Sequence, residues 1–360
     1  MMKIGLIGDA GSIHIKRWSQ WLRKHGYEVH MGSTTWVSDK QMEYPEGELA
    51  YDSFCPLKLR KGFGAHMLGV ITTRSWVETK KLKLVHGHYL TSGGFYARWS
   101  GAKHKIVSAW GSDIYHDAKS FTKGKLVRSA INGSDYLFAD TQALCDECTK
   151  LSNGDKNIKN IMFGIDTTLF KPHNKHRNGL VFLSVRRTSA IYNPTLILMA
   201  FSSIQQETGS KLLMAKPEEN SQAIYDLVDQ LEIKNAVEFY EPRQYHDMPE
   251  LYNRADCGIS IPNTDGASVA KLEAMSCGIP LIASDIPSNR EWIDNGENGV
   301  LVKNGDLADL ILKMSQICDV GYGCLDAMGA KAREKVVQHA EFNEEMNKAD
   351  QIYRMLLRVR

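Results

Sequence analysis

The 360 residues carry 44 Lys/Arg against 42 Asp/Glu, a net charge of +2, and 43% of them are apolar. That length and apolar share suffice for two cores of ordinary size, and so mild a basicity with no recognition motif argues against a nucleic-acid partner. There is no apolar run of about 18 residues, which argues against a membrane-spanning helix.

The chain opens M-M-K-I-G-L-I-G-D, where Asp9 comes too early for a signal peptide. Seven cysteines, odd in number and irregularly spaced, fit reduced thiols in a cytosol. Cys145 and Cys148 form a C-x-x-C pair inside a helical pattern with no second pair, so they read as structural. Residues 3–7 form a buried-strand pattern ended by G-D-A-G-S; Ser12 can cap a helix burying Ile15, Trp18 and Leu22, and a second strand follows at 28–31. Only Gly8 and Gly11 of a G-x-G-x-x-G are present, so the dinucleotide signal is weak. A helix over 65–81, a strand at 82–85 with His86 and His88 at its end, and a strand at 105–109 with Trp110–Asp113 at its end continue the alternation. Helix and strand pairs at 123–132 with 136–139 and 141–151 with 158–163 complete a parallel α/β set.

Residues 172–179 are polar and aperiodic and read as a linker, so the expected domains are 1–173 and 179–342. The final helix, 343–360, is a candidate to pack back on the first domain. Charge divides unevenly: residues 1–160 hold 23 Lys/Arg against 15 Asp/Glu, densest between Lys58 and Lys125. That basic stretch, with Lys58, Arg60, Lys61, Arg74, Lys80, Lys81, Lys83, Lys103 and Lys105, reads either as a solvated face or as a surface for anionic lipid or an acidic acceptor.

The second half restarts the pattern, with strands at 180–185, 211–215 and 237–240 and helices at 195–206, 222–231 and 249–255. It leads to C-G-I-S-I-P-N-T-D-G-A-S-V-A-K-L-E-A-M-S-C-G-I-P, a strand, a polar turn and a helix capped by Gly278. A strand end opening onto a helix N-terminus is where α/β proteins hold phosphate. Asp265 and Glu273 straddle that helix start, an arrangement suited to a ligand with both phosphate and hydroxyl groups. Helices at 307–317, 325–340 and 343–357 close the chain.

In this order the features resemble the GT-B glycosyltransferases, and specifically the retaining family 4. The phrases that carry the resemblance are G-D-A-G-S-I-H, W-G-S-D-I, F-G-I-D before the linker, Val185-Arg186-Arg187, the D-G-A-S-V-A-K-L-E-A-M stretch and N-G-E-N-G-V-L-V. The resemblance implies two Rossmann-like α/β domains facing a central cleft. It also implies metal-independent transfer with no cofactor, the leaving diphosphate being held by a basic side chain and a helix N-terminus. No two aspartates stand two residues apart, so a D-x-D metal route has no support.

Carried onto this sequence, the resemblance puts Glu273 at the ribose hydroxyls and Asp265, where the family has Glu, at the donor sugar. It gives backbone N–H groups of Gly266, Ala267, Ser268 and Val269 to phosphate, and Gly11 to a close approach of the donor. Arg187 matches the diphosphate cation, with Arg186 as substitute. The family's second cation, a Lys, is missing from Ala190-Ile191-Tyr192-Asn193-Pro194, and Lys216 is a replacement candidate. His88 is a candidate catalytic residue. His86, Trp110 (where the family has His) and Asp113 are candidates for the acceptor or sugar side, Asp113 orienting either a hydroxyl or the Gly111 turn.

The expected activity is retaining transfer from a nucleotide diphosphate sugar, UDP favoured over GDP. The acceptor would be a polysaccharide or lipid-linked saccharide in surface glycan synthesis, the enzyme cytoplasmic and in peripheral contact with the inner membrane face. The alternatives are a GT-B sugar-nucleotide epimerase and a non-catalytic nucleotide-sugar-binding variant.

Overall fold

The computed structural model describes residues 2–34, 52–53, 63–173, 177–217 and 222–358. Lys58, Arg60 and Lys61 of the basic stretch and residues 174–176 of the polar segment lie outside the described residues. Two compact units divide the chain, one of Met1–Phe163 with Glu345–Arg360, the other of Gly164–Glu344.

The first unit is built on a parallel sheet of order β3-β2-β1-β4-β5-β6-β7. Its strands are β1 (Met2–Gly8), β2 (Tyr27–Ser33), β3 (Asp52–Ser53), β4 (Leu84–His88), β5 (His104–Ser108), β6 (Tyr136–Ala139) and β7 (Asn157–Asn160). The helices between them are α1 (Ile13–Lys24), α2 (Phe63–Lys80), α3 (Phe95–Trp99), α4 (Ser112–Tyr115), α5 (Phe121–Asn132) and α6 (Gln142–Leu151). Residues of α2, α3, α5 and α6 share one apolar core, including Trp76, Ala97, Val127, Ala130, Leu144 and Cys148. Burial pushes the Cys148 thiol up, which suits a packing role. Across the sheet, Trp18 of α1 donates its Nε1–H to the Tyr353 hydroxyl at 2.9 Å.

The second unit holds a six-stranded parallel sheet of order β10-β9-β8-β11-β12-β13. These are β8 (Val181–Ser184), β9 (Lys211–Ala215), β10 (Val237–Tyr240), β11 (Cys257–Ser260), β12 (Leu281–Ser284) and β13 (Gly299–Val302). Its helices are α7 (Pro194–Thr208), α8 (Gln222–Gln230), α9 (Met248–Asn253), α10 (Val269–Ser276), α11 (Pro287–Arg290), α12 (Leu307–Asp319) and α13 (Gly321–His339). The last helix, α14 (Phe342–Arg358), carries Tyr353.

The change of unit comes before the polar segment, not within it. Ile165 bridges to Glu341, Phe170 packs on Tyr252 with ring centroids 6.0 Å apart, and Arg177 pairs with Asp256 at 3.0 Å. These contacts tie 164–173 into the second core, whereas a linker needs few contacts of its own. Each sheet has one point where successive connections run in opposite directions, between β1 and β4 and between β8 and β11. Ligands of open α/β sheets collect at the strand carboxyl ends at such points.

Candidate functional site

In the second unit, the switch point brings the loop after β8 to the loop after β11. Arg186 leaves β8 and reaches Asp265, Nη2 to Oδ2 at 3.2 Å, while its Nη1 donates to the Ser268 hydroxyl. Its guanidinium also lies 4.2 Å from the Tyr192 ring centre. A planar cation with fixed donors can be held flat on a ring and still present its edge to oxygens. The next residue, Arg187, is exposed and makes no side-chain ion pair or hydrogen bond among the described residues. Arg186, rather than Arg187, is therefore the arginine that the fold brings to the start of α10.

That helix start has the chemistry of an anion site. Ser268, its N-cap, holds φ 49° and ψ 90°, a left-handed conformation that costs a non-glycine residue about 1–2 kcal/mol. Gly266 donates its N–H to Asp265 Oδ1 at 3.0 Å, so one of the four amides expected at phosphate is already engaged. The N–H groups of Ala267, Ser268 and Val269 serve no hydrogen bond among the described residues. Orphan amides at a helix N-terminus, under a positive dipole end, are ready donors to an anion.

Glu273 is buried in the second turn of α10 and accepts a hydrogen bond from the Tyr252 hydroxyl at 2.9 Å. Burial, then the neighbouring carboxylate, raises the Tyr252 phenol well above its usual range, so it stays a donor. Two positions away Lys271 is fully buried, and its Nζ donates to Asn289 Oδ1 at 2.7 Å. Asn289 donates to the Ser284 carbonyl at 2.8 Å, and the Ser284 hydroxyl donates to the Pro262 carbonyl at 2.6 Å. This chain of bonds joins α10 to the end of β12 and to the loop that carries Asp265. Lys216 follows β9, but its ammonium is held by Glu241 at 2.6 Å and is exposed, so it is not gathered with Arg186.

In the first unit, the corresponding switch point joins the Gly8–Ser12 loop to the end of β4. A Cβ on Gly8 would fall 2.5 Å from Ile15 Cδ1 and 3.2 Å from His88 Cβ, so any larger residue would have to displace the Ile15 side chain and crowd His88. The Gly11 amide donates to Asp9 Oδ1 at 2.9 Å.

His86 is closed at both ring nitrogens, to the Tyr353 hydroxyl at 2.6 Å and the Ser108 hydroxyl at 2.7 Å. The expected acceptor-side role is corrected to a structural one. His88 is likewise fully buried, ringed by Trp18, His86, Trp110 and Phe163, and neither nitrogen has a hydrogen-bond partner. Burial, then nearby His14, pushes it down to about 3, so it is neutral. Covered on all sides, His88 does not stand as an exposed base. Asp113 is buried and accepts from the amides of Leu90 at 2.9 Å, Trp110 at 3.0 Å and Ile114 at 3.1 Å. The bond from Trp110 spans the Gly111 turn. Burial lifts its carboxyl to about 6 against those three amides. Trp110 stands edge-on to Phe163 at 4.9 Å, its Nε1 unpartnered.

Residues without a sequence-level role also stand here. His14 stacks on Phe163 at 4.6 Å and is held neutral by burial, its value about 3. Tyr192, Tyr252, Lys271 and Asn289 also lacked such a role; His14 and Lys271 lie inside quoted motifs, but none was read for them. The buried Lys inside an apolar helix was the one visible signal.

Residues 166–335 match the family model for glycosyl transferases group 1, and residues 3–141 match that for glycosyl transferase 4-like domains. The N-acetyl-alpha-D-glucosaminyl L-malate synthase of Bacillus anthracis is 24% identical over 298 residues, 78% of this chain and 77% of that protein. Sucrose-phosphate synthase from Thermosynechococcus elongatus superposes with a TM-score of 0.84 at 18% identity, over 99% of both chains. Anabaena HepE, solved in complex with UDP-glucose, superposes with a TM-score of 0.79 at 15% identity, over 98% of this chain and 99% of its own. With both halves matched by family models and the two-sheet fold shared, the chain belongs to the GT-B glycosyltransferases of family 4.

Proposed function

We propose that this glycosyltransferase takes its sugar from UDP-sugar and delivers it, with retention, to a saccharide or lipid-linked saccharide acceptor in surface glycan synthesis, working against a membrane face without a metal. The observation that carries the donor half is Arg186 set beside Asp265 and Ser268 over the free amides of α10. The UDP-glucose complex of Anabaena HepE supports uridine as the base. In the proposed reaction the anomeric carbon–phosphate oxygen bond breaks, and the electron pair and charge pass to UDP. The acceptor oxygen bonds the anomeric carbon on the same face, and its proton goes to the departing phosphate. Arg186 and the start of α10 hold the growing charge, Asp265 a sugar hydroxyl, and Glu273 the ribose hydroxyls.

Calorimetric titration with UDP, followed by product analysis across a UDP-sugar panel, tests this reading. Glu273→Gln keeps the shape beside Tyr252 and is expected to weaken UDP binding at least tenfold. Unchanged binding would remove Glu273 from the donor site. A second reading, a nucleotide-sugar-binding variant without turnover, is favoured by Lys216 being held by Glu241 rather than gathered with Arg186. Tight UDP binding with no product from any donor would select it.

A further inference from the structure

Among the described residues of the first unit, the exposed large apolar side chains are Met67, Ile71, Trp99, Phe121 and Met355. Four of the five lie on three neighbouring helices, α2, α3 and α5. Arg74 of α2 donates to the Trp99 carbonyl at 2.8 Å, and Arg98 of α3 lies against Gly133 at the end of α5. Phe121 is 81% exposed and Ile71 60%, far beyond what a packed helix leaves in water. Two rings carry cations: Lys125 Nζ is 4.2 Å from the Phe121 ring centre, and the Arg98 guanidinium is 4.7 Å from that of Trp99. The three helices hold six cations, Arg74, Lys80, Arg98, Lys123, Lys125 and Arg128, against one carboxylate, Glu78. Lys123 answers Asp117, at 2.7 Å, and the others have no carboxylate on their own helices except Glu78.

Single exposed apolar residues need no explanation, but rings held beside cations on three adjoining helices with one carboxylate among them do. Arginine and lysine stems lie over apolar surface while their heads seek anions, and aromatic rings settle at the headgroup level of a bilayer. An acidic protein partner would match the charge but not the four exposed apolar tips, which are spread over three helices. We infer that the outer face of α2, α3 and α5 is the docking surface for an anionic phospholipid bilayer. Phe121, Trp99 and Ile71 insert at headgroup depth, and the cations pair with lipid phosphates. This rests on the proposal that the enzyme works at a membrane and names the surface that meets it.

The full chain, without donor, is sedimented with phosphatidylcholine vesicles and with vesicles containing phosphatidylglycerol. Binding is expected to the anionic vesicles alone and to fall with salt, since each cation contributes on the order of fivefold. Phe121→Ser with Lys125→Glu should lower vesicle affinity at least tenfold while thermal unfolding and UDP affinity stay at wild-type values. Equal binding to both vesicle types, no binding to either, or capture by a soluble acidic polysaccharide in place of vesicles would overturn the inference. UDP titration of the same samples tests the donor site separately, so loss of one reading leaves the other standing.

Discussion

Consecutive residues leaving a strand turn to opposite sides, and at the end of β8 this decides which arginine meets the start of α10. Arg186 meets Asp265, Ser268 and Tyr192, whereas Arg187 faces water. Arg186→Ala is expected to cost about 1.5–3 kcal/mol of UDP affinity, the value of a charge-assisted bond, and Arg187→Ala much less, both read by calorimetry. At the same scale, His14 and His88 sit neutral in the fold at about 3, against 6.5 for a free ring. A value lowered by folding means the unfolded chain takes up protons first as pH falls. Their contribution is thus complete above about pH 6.5 and is lost towards pH 3, at up to about 1.4 kcal/mol per pH unit for each ring. The urea midpoint should therefore drop between pH 7 and 5, and His88→Phe should make that drop shallower.

Among the elements, α10 concentrates the most chemistry and the most internal tension. A left-handed Ser268 opens it, Glu273 is buried in its second turn, and Lys271 is fully buried with its ammonium donating to Asn289. Leaving a buried charge short of an acceptor costs more than removing the charge. Asn289→Leu, which also removes the two bonds to Ser284, should therefore destabilise the second unit more than Lys271→Met does, the latter by about 1–3 kcal/mol. Chemical denaturation of the two variants measures the order, and equal losses would argue that other acceptors satisfy Lys271. The helix, its strand and its Gly278 end were legible from pattern alone, as were most strands, because parallel strands buried on both faces read as short apolar runs. Asp265, Ser268 and Glu273 were legible as a group for the same local reason, a strand end followed by a helix start.

At the level of the whole molecule, α14 returns to the first unit through contacts more than 260 residues apart in sequence. The Tyr353 hydroxyl takes the Trp18 indole N–H at 2.9 Å and meets His86 at 2.6 Å, and Tyr27 donates to Asp350 at 2.6 Å. Tyr353→Phe would strand two buried polar groups, at about 1–3 kcal/mol each, and should lower the melting temperature without changing UDP affinity. A parallel fall in UDP affinity would show that the two effects are coupled. Among the described residues no helix is long and apolar enough to cross a membrane.

The linear chain by itself determined the alternation of strands and helices, the two-sheet class and the anion-binding helix start, because each depends on neighbours within one or two turns. It could not show that Arg186, rather than Arg187, meets Asp265, nor that Lys216 is taken by Glu241. It also could not show that His86 and His88 are packed shut, or that the second unit begins at Gly164. Those outcomes depend on which side chains the sheet order and the returning helix bring together across long separations. No local pattern encodes a partner far away in sequence, so the tertiary structure alone decided them.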